Sequence, residues 1–479
     1  MHIASNPEPT TLLWFTHDLR MHDNALLSYV SKINNRKHRL LCLYCIDKEW
    51  FEQDRFGLQR IATHRWNFLV ASLHTLNTKL QGLGQQLVIA KGNPTEIMSD
   101  LLSRYSINTV ISSNTVGYNE QAYWQDISSK YPHLVFIQQE TFTLFTESQL
   151  PFLLDDLPDS FSKFRRLIES KKNYPNYLDT IKSSVIDQPT KLPPKLHVTL
   201  QEEHQFNWSS TSTIPNEKNS HDSNDSHVNT NSLGFYGGEA SGLSHLEQYF
   251  SGNAPSHYKD TRNALGCEKE EWQLSSKFSP WLANGSLSAR YIVEKLSRYE
   301  EKNGANDSTY WIMFELLWRE YFQWYARKYG EKLFHRAVIQ TRAPLASFYP
   351  QRFQQWCNGS TPWPLVNACM KQLNQTGFLS NRGRQIVASV LIYELGLDWR
   401  CGAAYFEQQL IDYDVAANWG NWQYIAGVGA DPRGGRQFNI DKQQKMYDSE
   451  RIYIKRWKGE KDIPKDLDNV DAADWPISI

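Results

Sequence analysis

Five short apolar runs, at residues 12–15, 40–46, 86–90, 109–111 and 134–137, alternate with stretches of helical periodicity such as 61–80 and 94–105. A short apolar run flanked by helical segments reads as a strand buried on both faces. A chain that places a helix between successive strands lays them parallel, with right-handed crossovers. Residues 11–140 therefore read as an α/β domain, a doubly wound parallel sheet whose ligands sit beyond the carboxyl ends of the strands. No Gly-x-Gly-x-x-Gly follows the first strand. Thr16, His17, Asp18, Leu19 and Arg20 run instead into His22, Asp23 and Asn24, which disfavours a standard dinucleotide site and reads as a surface loop with a helix cap.

The alternation stops near residue 140. Residues 141–232 read as an interdomain connection, and its final part, 200–232, is crowded with Asn, Ser, Thr, Asp and His and nearly lacks aliphatics. Such a segment cannot bury enough apolar surface to offset the entropy of ordering it. His221 and His227 lie within it without the cysteines or rigid frame of a metal site, and no metal is expected. Residues 233–479 read as a larger, mainly helical domain. Asp307 or Ser308 would cap a helix carrying Trp311, Phe314, Trp318, Tyr321, Phe322 and Tyr325 at three- and four-residue spacing, and residues 386–395 repeat that pattern. Twelve of the 17 tryptophans fall in this half, serving an aromatic core, stacking or electron transfer; composition does not choose among these.

Composition narrows the function classes. With 51 Lys+Arg against 52 Asp+Glu, the formal charge of −1 excludes a histone-like, tail-driven grip on nucleic acid and leaves a local basic face open. No apolar run approaches the roughly 20 residues of a membrane helix. The first ten residues are polar and contain Pro7 and Pro9, unlike a secretory signal, so a cytoplasmic, monomeric protein is expected. Six cysteines are too few for a disulfide scaffold, and Cys42 and Cys45 sit in an apolar run as buried thiols.

Three constellations carry chemistry. Glu315, four residues after Trp311 and three before Trp318, shares their aromatic face; an i+4 ion pair with Arg319 is one reading and a ligand-binding pocket wall the other. Asn381 and Arg384 stand one helical turn apart with Arg382 on another side. Asp412 and Asp414 then precede Asn418, so that an Arg384–Asp412 ion pair suggests itself. Ser275, Ser276, Lys277 and Ser279 precede Pro280 and combine hydroxyls, an ammonium and free backbone N–H groups into a phosphate cradle, although taken alone the motif reads first as a surface turn.

In their order along the chain these blocks resemble the photolyase/cryptochrome flavoproteins, with the DASH branch as the best match. The resemblance covers residues 12–20, 258–266, 275–282, 314–321, 376–389 and 397–439, including the runs 381–385 (Asn-Arg-Gly-Arg-Gln) and 429–433 (Gly-Ala-Asp-Pro-Arg). It implies an all-α C-terminal domain that holds FAD in a bent form. Tyr258, Ser275, Ser276, Lys277 and Ser279 would contact its phosphates and sugars, Arg384 and Asp412 would flank the isoalloxazine, Asp414 would meet its polar edge and Asn418 would face N5. It further implies light-driven repair, in which excited reduced flavin lends an electron to a cyclobutane pyrimidine dimer and recovers it once the ring has split. Glu315 and Asn381 would hydrogen-bond the flipped bases between the apolar walls Trp318 and Tyr424, and Arg382, Arg433 and Arg436 would hold the DNA backbone. Duplex-repairing relatives resemble this chain but carry Trp where it has Tyr424; a smaller wall recovers less of the flipping cost and points to single-stranded DNA as the preferred partner. A signalling cryptochrome without useful repair, acting on an unknown partner, is the alternative.

Two departures from the family pattern stand out. The family relays electrons through three tryptophans. Trp422 and Trp399 match the inner two, but the outer position falls at Ala346, ten residues before Trp356. Tyr349, Phe348 and Trp356 are nearby aromatic substitutes, each of which reads first as core packing. The family's antenna, often a methenyltetrahydrofolate, is held by a glutamate that should fall at residues 115–117. No carboxylate stands there and Glu120 is shifted, so the sequence leaves an antenna open.

Overall fold

The computed structural model describes residues 9–33, 38–174, 176–207, 234–266, 272–339, 346–430 and 434–463, together with the backbone of residues 475–476. Strands β1 (Thr10–Phe15), β2 (Arg39–Asp47), β3 (Leu87–Gly92), β4 (Thr109–Ser113) and β5 (Val135–Gln139) pair in parallel in the order β3-β2-β1-β4-β5. Helices α1 (Ala25–Ser31), α2 (Thr63–Gln81), α3 (Pro94–Arg104) and α4 (Tyr118–Lys130) make the crossovers. All five expected strands form, within two residues of their expected ends. The period-2 alternation of side chains explains why these runs read as continuously apolar. Leu13, Phe15, Cys42 and Tyr44 feed the core on one face, and Leu12, Trp14, Leu43 and Cys45 feed the other. The two cysteines thus point to opposite sides of the sheet, and burial raises both thiols, that of Cys42 to about 12, which leaves them inert.

The chain then crosses through α5 (Phe161–Ile168) and α6 (Tyr177–Ser183) into helices α7 (Glu239–Ser251), α8 (Tyr258–Thr261), α9 (Ser279–Ala283), α10 (Ala289–Asn303), α11 (Asp307–Tyr329), α12 (Pro350–Asn358), α13 (Pro364–Thr376), α14 (Asn381–Ser389), α15 (Trp399–Gln409), α16 (Val415–Ala426), α17 (Ile440–Tyr447) and α18 (Ile452–Arg456). The spine is α11, whose Leu317, Tyr321, Trp324 and Tyr325 are fully buried. Its cap is Asn306, one residue before the expected Asp307, because the Asn306 carboxamide and the Thr309 hydroxyl satisfy each other's backbone N–H groups at 3.0 Å. The periodicity at 386–395 ends in a π turn, Val390–Glu394, appended to α14. Helices α11, α15 and α16 approach closely because Gly402 and Gly420 leave room for the rings of Trp422 and Phe322, which any Cβ there would overlap. No helix among the described residues is long and apolar enough to cross a membrane.

The segment after β1, expected as a surface loop, is instead the seam between the domains. Arg20 is buried and donates to the carbonyls of His22, Asp23, Thr141 and Gly285 at 2.7–3.1 Å. Asp23 takes two bonds of 3.1 Å from Arg290, and His22 Nδ1 lies 2.5 Å from Glu239. Polar residues in such a run gave no sign that a second domain would cover them. The expected cap is present: Asn24 accepts from the amides of Leu26 and Leu27. His221 and His227 lie outside the described residues.

Candidate functional site

A cavity of about 490 Å³ opens in the helical domain between the segment joining α8 to α9 and helices α11, α14, α15 and α16. Its walls bring together residues from four separated stretches of sequence. Tyr258, Ser275, Ser276, Lys277 and Ser279 line one end. Arg384, Asp412, Asp414 and Asn418 line the middle, and Glu315, Trp318, Asn381 and Tyr424 gather with them, as does Trp422.

At the hydroxyl-rich end the backbone at Lys277 takes φ +48°, a conformation L side chains rarely adopt, and its ammonium turns back to donate to the Trp272 carbonyl (2.7 Å) and the Ser275 hydroxyl (3.2 Å). The loop is pinned from beneath by His245, which sequence reading missed. This imidazole stacks on Trp281 (5.0 Å, 25°), and Nε2 lies 2.8 Å from the Ser276 carbonyl. Burial lowers its pKa to about 4, so the ring is neutral and Nε2 carries the donated proton. A single histidine on a helix gives no sequence signal for such a role.

In the middle, Arg384 Nη2 donates to Asp412 Oδ2 at 2.7 Å, the ion pair the spacing suggested. Asp412 Oδ1 is buried and has no hydrogen-bond partner among the described residues. A buried carboxylate oxygen left unpaired costs about 1–3 kcal/mol or more, so this wall calls for a ligand that brings a donor. A planar ring whose edge carries both N–H and carbonyl groups, as the flavin dione does, suits Arg384 and Asp412 together. Asp414 is partly spent on structure: Oδ1 caps α16 at the Ala417 amide (2.9 Å) and Oδ2 accepts from Gln323 (2.7 Å). Asn418 is buried, its amide anchored on the Ala403 carbonyl at 3.0 Å.

Glu315 is not paired with Arg319. Its partner is Arg262, at 2.5 Å, whose guanidinium also stands 4.2 Å over the Trp311 ring, while Arg319 reaches across to the Phe142 carbonyl (2.6 Å). The i+4 spacing lost because α8 brings a second guanidinium to the cavity face. Arg262 was legible only as a neighbour of Tyr258 in one of the resembling blocks. Burial raises the Glu315 carboxyl and Arg262 pulls it partly back. Trp318 stacks on Phe161 (3.8 Å, 13°), and Tyr424 meets its edge at 5.6 Å, so the two rings form a corner.

The remaining expected residues stand apart from this cavity. Arg382 lies over Tyr447 and reaches Asn263, and Arg436 donates to the Tyr424 hydroxyl; Arg433 lies outside the described residues. Trp399 packs on Trp419 at 5.8 Å, and Ala346 carries no ring to receive an electron. A second cavity, of about 500 Å³, lies where the sheet order reverses, walled by the ends of β1 and β2, by the segment that follows β4 and by α15 and α16 of the other domain. Glu120 lines it, with its carboxylate 3.6 Å from His17. Among the described residues no cluster of His, Cys, Asp and Glu could hold a metal ion.

Two family models match: DNA photolyase over residues 11–182 and the FAD binding domain of DNA photolyase over residues 311–467. A cryptochrome DASH of Idiomarina loihiensis is 45% identical over 97% of this chain and 96% of its own length. That of Vibrio parahaemolyticus is 46% identical over 98% and 97%. This chain belongs to the DASH cryptochromes of the photolyase family. The crystal structure of a Synechocystis cryptochrome superposes with a TM-score of 0.83 at 38% identity, covering 95% of this chain and 89% of that one; a class III photolyase from Agrobacterium tumefaciens gives 0.75 at 25%, covering 95% and 88%. The helical half is thus an FAD-binding domain, and the sheet that precedes it is the photolyase α/β domain.

Proposed function

We propose that this DASH cryptochrome is a blue-light-driven lyase that splits cyclobutane pyrimidine dimers in single-stranded DNA. One observation carries the reading: Glu315, Asn381, Trp318 and Tyr424 share a single cavity with Arg384, Asp412 and Asn418, so groups suited to a base and groups suited to a flavin face one space. Bound FAD supplies the electron that opens the dimer and accepts it back. The protein's own residues do the rest. Ser275, Ser276 and Ser279 offer hydroxyls to the phosphates and sugars. Arg384 and Asp412 offer, respectively, a cation and an acceptor to the flavin edge, and Asn418 presents a neutral amide where a carboxylate would oppose negative charge.

On the lesion side, Glu315 and Asn381 hydrogen-bond the bases and the Trp318–Tyr424 corner stacks them and keeps water out, each stacked base gaining roughly 1–3 kcal/mol. A dimer in a duplex must also be unpaired, and the phenol of Tyr424 offers less face than an indole to repay that cost. Arg382 and Arg436, with Arg433, are assigned to the phosphate backbone. The second cavity, with Glu120 in its wall, is assigned to a folate-type antenna. Loss of dimer from matched single-stranded and duplex oligonucleotides, in blue light and in darkness, tests the function. Faster light-dependent repair of the single strand is expected. Equal rates on both would overturn the preference, and flavin photochemistry without any repair would favour a signalling role.

A further inference from the structure

Resting on the reading that FAD occupies the helical-domain cavity, we propose that Tyr413 is the outer terminus of the flavin's electron supply, with Trp419 as the third indole and Glu407 as proton acceptor, in place of the ring absent at Ala346. Trp422 lines the cavity and lies against Gly402, three residues from Trp399 on the same helix, α15. The ring of Trp399 stands 5.8 Å from that of Trp419, at 76°. Trp419 Nε1 points at two oxygens, the Tyr413 hydroxyl at 3.3 Å and Glu407 Oε2 at 3.4 Å, and the Tyr413 hydroxyl donates to the same Glu407 oxygen at 2.8 Å. All three side chains reach the wall of the interdomain cavity, so in protein without the antenna the line of rings ends where a small reductant can enter.

The balance of the step selects this branch. Trp422, in the cavity wall, would give one electron to bound oxidised flavin once light had excited it. Trp422 is refilled from Trp399, and Trp399 from Trp419. Tyr413 then gives Trp419 one electron while its O–H bond breaks and the proton forms an O–H bond on Glu407, leaving a neutral tyrosyl radical. A small-molecule thiolate then returns one electron, becoming a thiyl radical, and the proton held on Glu407 goes back to the Tyr413 oxygen. The Arg65 guanidinium, 4.3 Å from the Tyr413 ring centre, disfavours a positively charged tyrosine, so electron and proton leave together. Among the described residues the competing branch shows no carboxylate to take the proton. Trp356 stands 6.2 Å from Trp422 but is fully buried with its N–H on the Val387 carbonyl, and the next ring, Tyr405, gives its hydroxyl to the amide oxygen of Asn374.

Flash photolysis of the flavin-loaded protein, read by transient absorption and electron paramagnetic resonance of the protein radical, tests this. A tyrosyl signal is expected in the parent protein, formed more slowly in D₂O. It should vanish in Tyr413→Phe and Trp419→Phe, vanish or collapse in Glu407→Gln, and survive in Trp356→Phe, with flavin absorbance confirming that each variant is folded and loaded. A tyrosyl signal that persists in Tyr413→Phe, or one lost in Trp356→Phe alone, would overturn the exit. A tryptophan radical with no tyrosyl in the parent would also overturn it while leaving the repair function standing. A parent protein that binds no flavin would bring down the underlying reading instead.

Discussion

Arg436 Nη2 donates to the hydroxyl of Tyr424 at 2.7 Å, with its guanidinium 5.0 Å from the ring centre. The ring proposed to wall the lesion is therefore tied to a cation outside the cavity, and the phenol gains a fixed orientation that an indole at 424 could not take from the same partner. Tyr424→Trp is expected to widen the stacking face and release Arg436. Roughly 1–3 kcal/mol per stacked base sets the scale, so repair of duplex dimers should rise about fivefold or more relative to single strands. The ratio of the two rates in one preparation measures it.

Glu315 and its partner Arg262 give a second expectation. Glu315→Ala removes the charged hydrogen bond proposed to reach the bases, worth about 1.5–3 kcal/mol, and should weaken binding of a dimer-bearing single strand tenfold or more. Binding of the same strand without the dimer should barely change, since that rests on phosphate contacts. Fluorescence anisotropy with both oligonucleotides in the dark separates the two terms.

Much of this architecture was legible because it rests on local rules. The five strands were fixed by apolar run length, and the Arg384–Asp412 pair by types of residue that cannot be buried singly. What stayed hidden depends on distant segments meeting. Glu315 chose Arg262 over Arg319 only because α8 folds onto α11, and the run from Asp18 to Asp23 looked like a surface because its cover, Gly285 to Arg290, lies some 265 residues away. His245 beneath the Ser276 carbonyl is a third such case.

Asp412 tests the flavin wall itself. Asp412→Ala frees the partly exposed Arg384 guanidinium and removes the unpaired acceptor, a change of about 1.5–3 kcal/mol for a charged hydrogen bond. The protein should purify with markedly less FAD, and Asp412→Asn should retain more than the alanine variant. Flavin absorbance per chain reads the outcome.

The domain seam predicts a pH dependence. Burial raises the Glu239 carboxyl, but hydrogen bonds from His22 and Lys79 outweigh it and hold the pKa down at about 2. A carboxyl depressed in the folded state stabilises it at pH values above its unfolded pKa of about 4.3, and that stability drains away as pH falls toward 2. Denaturant unfolding at pH 7, 5, 4 and 3 should therefore show a fall in stability below about pH 4.5. In Glu239→Gln that part of the slope should flatten, with lower stability at pH 7.

The central claim is that two cross-linked pyrimidines of one strand and a flavin share one chamber. Crystals of the flavin-loaded protein, grown in darkness with a short single strand containing one thymine dimer, address it most directly. The dimer should lie in the Trp318–Tyr424 corner within hydrogen-bonding reach of Glu315 and Asn381, and the flavin ring should lie beside Arg384 and Asp412. A dimer bound elsewhere on the surface, with that corner closed by side chains, would contradict the account.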